Sequence, residues 1–203
     1  MSIGIAMFLY SLSMSLSPGP INMMSLSSGV NYGFKKTFAF VSGATIGFTL
    51  LLILTGIGLA NTLSHLSGFY KFLESIGAVY IGYMGYKVMS STPQLQVDEK
   101  GLLKFHQGFL MQWLNPKAWI ACLSGIVAFN LKDSDTLLVT FVSIYFPTCY
   151  VALSIWAWLG SKLQFLNGIK NGVKIFNRLT GIALILVAVY LLFNAHFVPS
   201  AVL

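Results

Sequence analysis

The chain has 203 residues, of which 56% are hydrophobic and 8% charged, and it carries a formal net charge of +7 at pH 7. Soluble domains run to about 25% charged residues, so the composition indicates an all-α integral membrane protein with no room for a soluble domain; mean hydropathy is +0.79. The positive charge does not indicate nucleic-acid binding, because the basic residues are scattered through segments that flank apolar runs.

Six transmembrane helices are predicted, at roughly 3–30, 38–60, 68–89, 105–131, 136–160 and 176–197. The N-terminus, Met1-Ser2-Ile3-Gly4, lacks a positively charged region, so the first apolar stretch reads as a span and not as a cleaved signal peptide. Pro18-Gly19-Pro20 interrupts this span. A helix from residue 3 to Ser17 covers roughly 22 Å at about 1.5 Å per residue, short of a hydrocarbon core of roughly 30 Å. The break therefore lies at membrane depth, where freed backbone groups need protein or a wet cavity beside them.

Span two holds Gly43 and Gly47, four apart, and span three holds Gly77, Gly82 and Gly85; Gly29 and Gly33 repeat the spacing near the end of span one. Glycine lets helix backbones approach closely in lipid, so these positions read chiefly as packing faces, with homo-oligomerisation through one of them as the other option. Ser42, Thr45 and Thr49 in span two either line a path or bond their own backbone, the commoner habit. Tyr80 and Tyr83 read as packing residues of span three, and Glu74 as an interfacial charge near the outer surface.

Residues 90–104 are the most polar stretch and divide the single 1–203 transmembrane domain into a first half, 1–89, and a second half, 105–203. Three spans per half make the second half enter the membrane the opposite way, the plan of an inverted 3+3 repeat. Asn115-Pro116-Lys117 interrupts span four. Helices one and four are thus the broken ones, first in each half, and such paired breaks point to a transport site.

In span five, Tyr145, Pro147, Thr148 and Tyr150 mark a packing kink or a gate. Cys122 and Cys149 lie inside apolar runs, away from the breaks, and read as small apolar fillers. Lys170, Lys174 and Arg178 recur every four residues opposite Ile169, Val173, Ile175, Phe176 and Leu179, as at the interfacial start of a last helix. Nine basic residues fall in or beside loops one, three and five, against Lys71 and Lys132 in loops two and four. The positive-inside rule then places the odd loops in the cytoplasm and both termini on the periplasmic side.

The candidate site is built on the two breaks. Lys117 is an ionisable residue near mid-span, costly there unless paired or hydrated. Pro116 cannot donate to the Gln112 carbonyl, and Asn115 brings both a donor and acceptors. After Pro20 a new half-helix begins, whose N-terminal amides suit a carboxylate, with Asn22 in its first turn. Pro18, Gly19, Pro20, Asn22, Gln112, Asn115, Pro116 and Lys117 are therefore the expected substrate-binding residues. The half-helix start and Lys117 would hold a carboxylate; the freed carbonyls at Ser15–Ser17 and Gln112, with Asn22 and Asn115, would hold an ammonium group. An amino acid fits this set, as would another small polar solute.

Ser17-Pro18-Gly19-Pro20, followed by Gly29, Gly33-Phe34, Gly43 and Gly47, resembles the opening of LysE/RhtB-type amino-acid exporters. Gly77-Ala78-Val79-Tyr80-Ile81 through Gly85 resembles that family's third span, and Phe105, Gly108-Phe109-Leu110 and Asn115-Pro116-Lys117-Ala118 its fourth. Gly181 and the apolar run after it suit the last span, so the similarity covers nearly the whole chain. Residues 17–28 are most similar to cysteine/O-acetylserine exporters, although threonine and homoserine exporters share much of the frame. The resemblance implies a secondary active exporter of small neutral amino acids or their derivatives in the bacterial inner membrane, with no cofactor and no enzymatic step. It leaves the exact solute and the coupling open: Lys117 carries a proton, or substrate charge couples movement to voltage.

Three other classes compete. A metal-ion exporter of the same superfamily wants carboxylates, thiols or imidazoles facing a cavity, and His65, His106 and His196 show no metal spacing. A thiol-based membrane electron carrier wants cysteines at the breaks. An intramembrane hydrolase wants a nucleophile with its base, paired aspartates or a His-Glu metal motif.

Overall fold

The computed structural model describes residues 2–58, 69–90, 101–169 and 171–197, and those residues are mostly helical, with no strand among them. In chain order the helices are α1 (Ile3–Leu16), α2 (Pro20–Tyr32), α3 (Phe34–Gly56), α4 (Phe69–Met89), α5 (Phe105–Trp113), α6 (Pro116–Ala128), α7 (Asp135–Lys162) and α8 (Gly172–Phe197). Short 3-10 turns at Leu131–Asp133 and Leu163–Gly168 precede and follow α7. Among the described residues, three helical segments are long and apolar enough to cross a membrane: Phe34–Gly56, Asp135–Leu166 and Gly172–Phe193. Ile3–Leu16 and Pro116–Ala128 are apolar but shorter.

Both expected breaks are present, and proline sets each restart. Pro20 and Pro116 occupy the first positions of α2 and α6, where the missing N–H costs nothing and the fixed φ suits a helix. Other boundaries moved. The second span begins at Phe34 and not at 38, because Gly33, at φ 81°, turns the chain directly from α2 into α3. A left-handed residue of this kind is a normal glycine stop, and its N–H bonds the Gly29 carbonyl at 2.9 Å. The fifth span keeps Pro147 inside one 28-residue helix. Most of the polar connector, 91–100, lies outside the described residues, as do Lys170 and the side chain of Glu74.

The helices pack in pairs: α4 lies along α8, α3 against α5 and α7, and α7 against α1 and α2. Glycine sets the closest approaches. A Cβ at Gly43 would overlap the Phe105 carbonyl, and one at Gly108 the Phe40 carbonyl, locking α3 to α5 from both sides. Gly29 and Gly160 do the same between α2 and α7, and Gly85 and Gly181 between α4 and α8. These glycine faces are filled within the chain, which is the packing reading. Such contact replaces the hydrophobic drive that helices lack in lipid.

The core runs between α3, α6 and α7, with Phe40, Leu51, Leu52, Cys122, Phe141 and Tyr145 fully or almost fully buried. Many large apolar side chains point outward, among them Val79, Val127, Val139 and Leu186, each more than 60% exposed. That surface suits lipid and would be a liability in water. On α8 the expected apolar face is divided: Val173 is buried, whereas Ile175 and Leu179 are exposed. The inward stripe instead carries Asn177 and Thr180, because Asn177 has a partner inside.

Candidate functional site

The first break leaves the last carbonyls of α1 without helical partners, and each finds a side chain. Ser17 Oγ donates to the Met14 carbonyl at 3.1 Å, and Asn22 Nδ2 to Ser15 at 2.8 Å. Trp156 Nε1, from α7, donates to Leu16 at 3.3 Å. Lys117 Nζ, from α6, donates to Ser17 at 2.5 Å. The carbonyls of Ser15–Ser17, expected to be open to a ligand's ammonium group, are thus occupied by the protein's own donors. Trp156 was not legible as a partner: nothing in α7's pattern marks an indole that reaches another helix's end.

The second break is closed by its own chain. The Gln112 carbonyl, expected to be free, accepts from Asn115 N at 3.2 Å as the helix tightens into a 3-10 turn. Trp119 Nε1 donates to the Trp113 carbonyl at 2.8 Å. Asn115 Oδ1 caps α6 by accepting from Lys117 N at 3.2 Å. The start of α2 differs: Gly19 caps it with no side-chain bond. The amides of Ile21 and Asn22 therefore remain available at the positive end of α2.

A cavity lies between the two breaks. Asn22, Gln112, Asn115 and Lys117 line it together with Ser15, Tyr145 and Cys149. About 40 Å³ is open to the centres of water molecules, room for about three waters. Phe48, Ile21, Ala118 and Leu153 complete its apolar wall. Gly19 keeps one edge clear: a Cβ there would stand 3.1 Å from Lys117 Cδ, 3.2 Å from its Nζ and 3.6 Å from Asn22 Oδ1. Its φ of −167° is ordinary extended backbone, so space and not conformation calls for glycine.

Two polar groups of this cavity are short of hydrogen-bond partners among the described residues. Gln112 is 5% exposed, and its side-chain amide makes no hydrogen bond to any described residue. Ser15 Oγ is buried beside the Tyr145 hydroxyl and the Cys149 thiol, with no hydrogen bond of normal length to a described residue. Buried polar groups are normally satisfied, and exceptions call for an explanation such as a ligand.

The structure therefore brings Asn22, Gln112, Asn115 and Lys117 to one cavity, with Gly19, Pro20 and Pro116 shaping its edges. Pro18 is exposed and does not line it. Two residues were misplaced by the sequence reading. Cys149 is not a filler distant from the breaks but part of the cavity wall, and Tyr145, read as part of a packing kink or a gate, lines the cavity one turn before it. The spacing of Tyr145, Cys149 and Leu153 by fours was the available signal. Thr45 also departs from expectation: its hydroxyl is buried without a hydrogen bond, whereas Ser42 and Thr49 donate to Phe38 and Thr45 carbonyls at 2.8 Å.

Toward the N-terminal end of α1 the cavity is closed by aromatic rings. Tyr10 packs on Phe129, Phe141 and Tyr145 with centroids 5.7, 5.9 and 6.4 Å away. Phe48 lies 4.5 Å from Tyr145. The Tyr10 hydroxyl donates to the Ala121 carbonyl at 2.8 Å and meets Ser124 Oγ at 2.7 Å, tying α1 to α6. Among the described residues no group of three or more His, Cys, Asp or Glu is placed to hold a metal ion.

The chain is 25% identical over 133 residues to the cysteine/O-acetylserine efflux protein of Escherichia coli (strain K12), covering 65% of this chain and 68% of that protein. The like-named proteins of Shigella flexneri serotype 5b (strain 8401) and Shigella sonnei (strain Ss046) match to the same degree. No solved structure matches. Residues 12–195 match the family described as LysE type translocator. With nearly the whole chain inside that match, and the two broken helices enclosing a polar cavity, this chain belongs to the LysE type translocator family.

Proposed function

We propose that this chain is a secondary active exporter of small neutral amino acids or their derivatives, of the cysteine/O-acetylserine or threonine/homoserine kind, acting by alternating access. The observation that carries the reading is the Lys117 ammonium beside the open N-terminus of α2, in a cavity where the Gln112 amide has no partner among the described residues. Lys117 and the Ile21 and Asn22 amides take the substrate carboxylate. The side-chain oxygens of Asn22 and Gln112 take its ammonium group, since the backbone carbonyls are already engaged. Phe48, Cys149 and Leu153 face the substrate side chain, where one methylene changes selectivity by about 1–3 kcal/mol. The names of the matching efflux proteins support an amino-acid cargo.

Six spans in an inverted 3+3 arrangement are part of this proposal. The helix pairs support it: exchanging the halves returns α3–α7 and α4–α8 to themselves and converts α1–α7 into α5–α3. Alternating access then rocks the halves about the breaks at Pro18–Pro20 and Asn115–Lys117. The protein sits in the bacterial inner membrane with both termini periplasmic, the orientation favoured by the basic loops. Binding releases Lys117 from the Ser17 carbonyl, so occupancy of the cavity loosens α1 from α6.

Efflux from cells preloaded with labelled amino acids tests the reading. Wild type exports a small neutral amino acid, and Lys117→Ala, inserted at normal levels, does not. Absence of amino-acid export by correctly inserted wild type would redirect the search to metal ions or another solute.

A further inference from the structure

A second cavity lies at the other end of α2, the end that leads into Lys35 and Lys36. It is bounded by Met24, Ser27, Ser28 and Asn31 of α2, Lys87 of α4 and Gly101, and about 50 Å³ of it is open to water centres. Met84, Val88 and Leu103 form its apolar wall. Ser27 and Ser28 are each 3% exposed. None of these groups lines the central cavity; Ser28 accepts from Thr37 Oγ1 at 2.9 Å and so ties α2 to α3, which leaves Ser27 and Lys87 as the polar groups not used in packing.

The wall is held rigidly. Asn31 and Asn177 exchange reciprocal amide hydrogen bonds, Nδ2 to Oδ1 at 2.8 Å one way and 2.9 Å the other, fixing the end of α2 to α8. Asn31 Nδ2 also donates to the Ser27 carbonyl at 2.7 Å. Its distance to Ser27 Oγ is 3.5 Å with the amide donating, so Ser27 accepts there, and its own proton has no acceptor among the described residues. Lys87 is half-buried, its ammonium 5.8 Å from the Tyr83 ring centroid, and it has no carboxylate partner among the described residues. A lysine with no carboxylate partner among the described residues, beside a serine hydroxyl on the same cavity wall, suits a carboxylate. The same helix serves both cavities: Ile21 lines the central one, and fully buried Met24, three residues later, lines this one.

We infer that this cavity is a loading site on the cytoplasmic side, where Lys87 and Ser27 hold the carboxylate of the amino acid before it passes Met24 into the central cavity. The inference rests on the exporter reading and its orientation. Carboxylate is the recognised group, so the amino-acid side chain matters less here than at the central cavity.

The test uses inside-out membrane vesicles, whose exposed face is the cytoplasmic one, and labelled cysteine, serine and threonine as probes. Lys87→Gln is expected to raise KM for uptake about tenfold, the loss of one charge-assisted hydrogen bond, with maximal rate nearly unchanged; Lys87→Arg restores KM. Ser27→Ala, a small change that leaves the membrane charge intact, is expected to raise KM about threefold. Unchanged KM in both variants, with Lys117→Ala still abolishing uptake, would overturn the loading site and leave the exporter standing. No uptake by wild-type vesicles would overturn both. Lys87 and Ser27 would also hold an anionic lipid headgroup, with the apolar wall against its acyl chain, so the variants are compared after reconstitution in phosphatidylcholine alone and with added phosphatidylglycerol. A KM effect seen only with phosphatidylglycerol would assign the site to lipid and overturn the proposal.

Discussion

Lys117 Nζ donates to the Ser17 carbonyl at 2.5 Å, joining two helix breaks that are 100 residues apart in sequence. The bond places a cation against the negative end of α1 and beside the positive end of α2. It gives one of the three ammonium donors an acceptor, with no carboxylate partner among the described residues, and it is a bond that a substrate carboxylate can displace.

Gln112→Leu separates function from stability. The amide has no hydrogen-bond partner among the described residues, so its removal costs no hydrogen bond to them. Thermal unfolding in detergent is expected to be unchanged or slightly raised, while export falls about tenfold or more. A clear loss of stability would show that Gln112 is structural.

Trp156→Phe leaves the Leu16 carbonyl unpaired at the end of α1. An orphaned buried acceptor costs about 1–3 kcal/mol, so the midpoint of thermal unfolding falls. Circular dichroism of the purified protein checks it; an unchanged midpoint would mean that the 3.3 Å bond carries no weight.

Gly43→Ala and Gly82→Ala make an opposed pair. At Gly43 a methyl would overlap the Phe105 carbonyl, whereas at Gly82 it would lie 3.4 Å from the Ala188 methyl, ordinary contact. Overpacking of the first kind costs about 1–3 kcal/mol; the second is near neutral. Unfolding midpoints of both variants decide it.

Tyr10→Phe removes the tie between α1 and α6 at the outer end, leaving the Lys117–Ser17 bond in place. Loss of about one hydrogen bond shifts the closed–open balance roughly tenfold. Cys149 lines the cavity while Cys122 is fully buried, so labelling of Cys149 by a thiol reagent from the outer face is expected to rise by that factor. No rise would place the outer closure elsewhere.

The breaks were legible because proline and glycine act locally: Pro20 and Pro116 remove a donor wherever they stand. Lys117 was legible because charge is rare in an apolar run. The destination of the freed carbonyls was not. Asn22 could be read as polar and near, but Trp156 reaches Leu16 across 140 residues, and only packing brings the two together. Cys149 and Tyr145 were misjudged for the same reason: one apolar-looking face of α7 meets lipid and another meets the cavity, and span composition does not distinguish them. Asn177 was hidden among basic and apolar neighbours until Asn31 supplied its partner.

The most direct test of the central claim, that Lys117 and the start of α2 hold a substrate carboxylate, is counterflow in proteoliposomes. Labelled amino acid is compared with its carboxamide in wild type and Lys117→Ala. The account predicts rapid exchange of the acid, little exchange of the carboxamide, and loss of acid exchange in the variant. Equal exchange of acid and carboxamide by wild type, or undiminished exchange by Lys117→Ala, would contradict it.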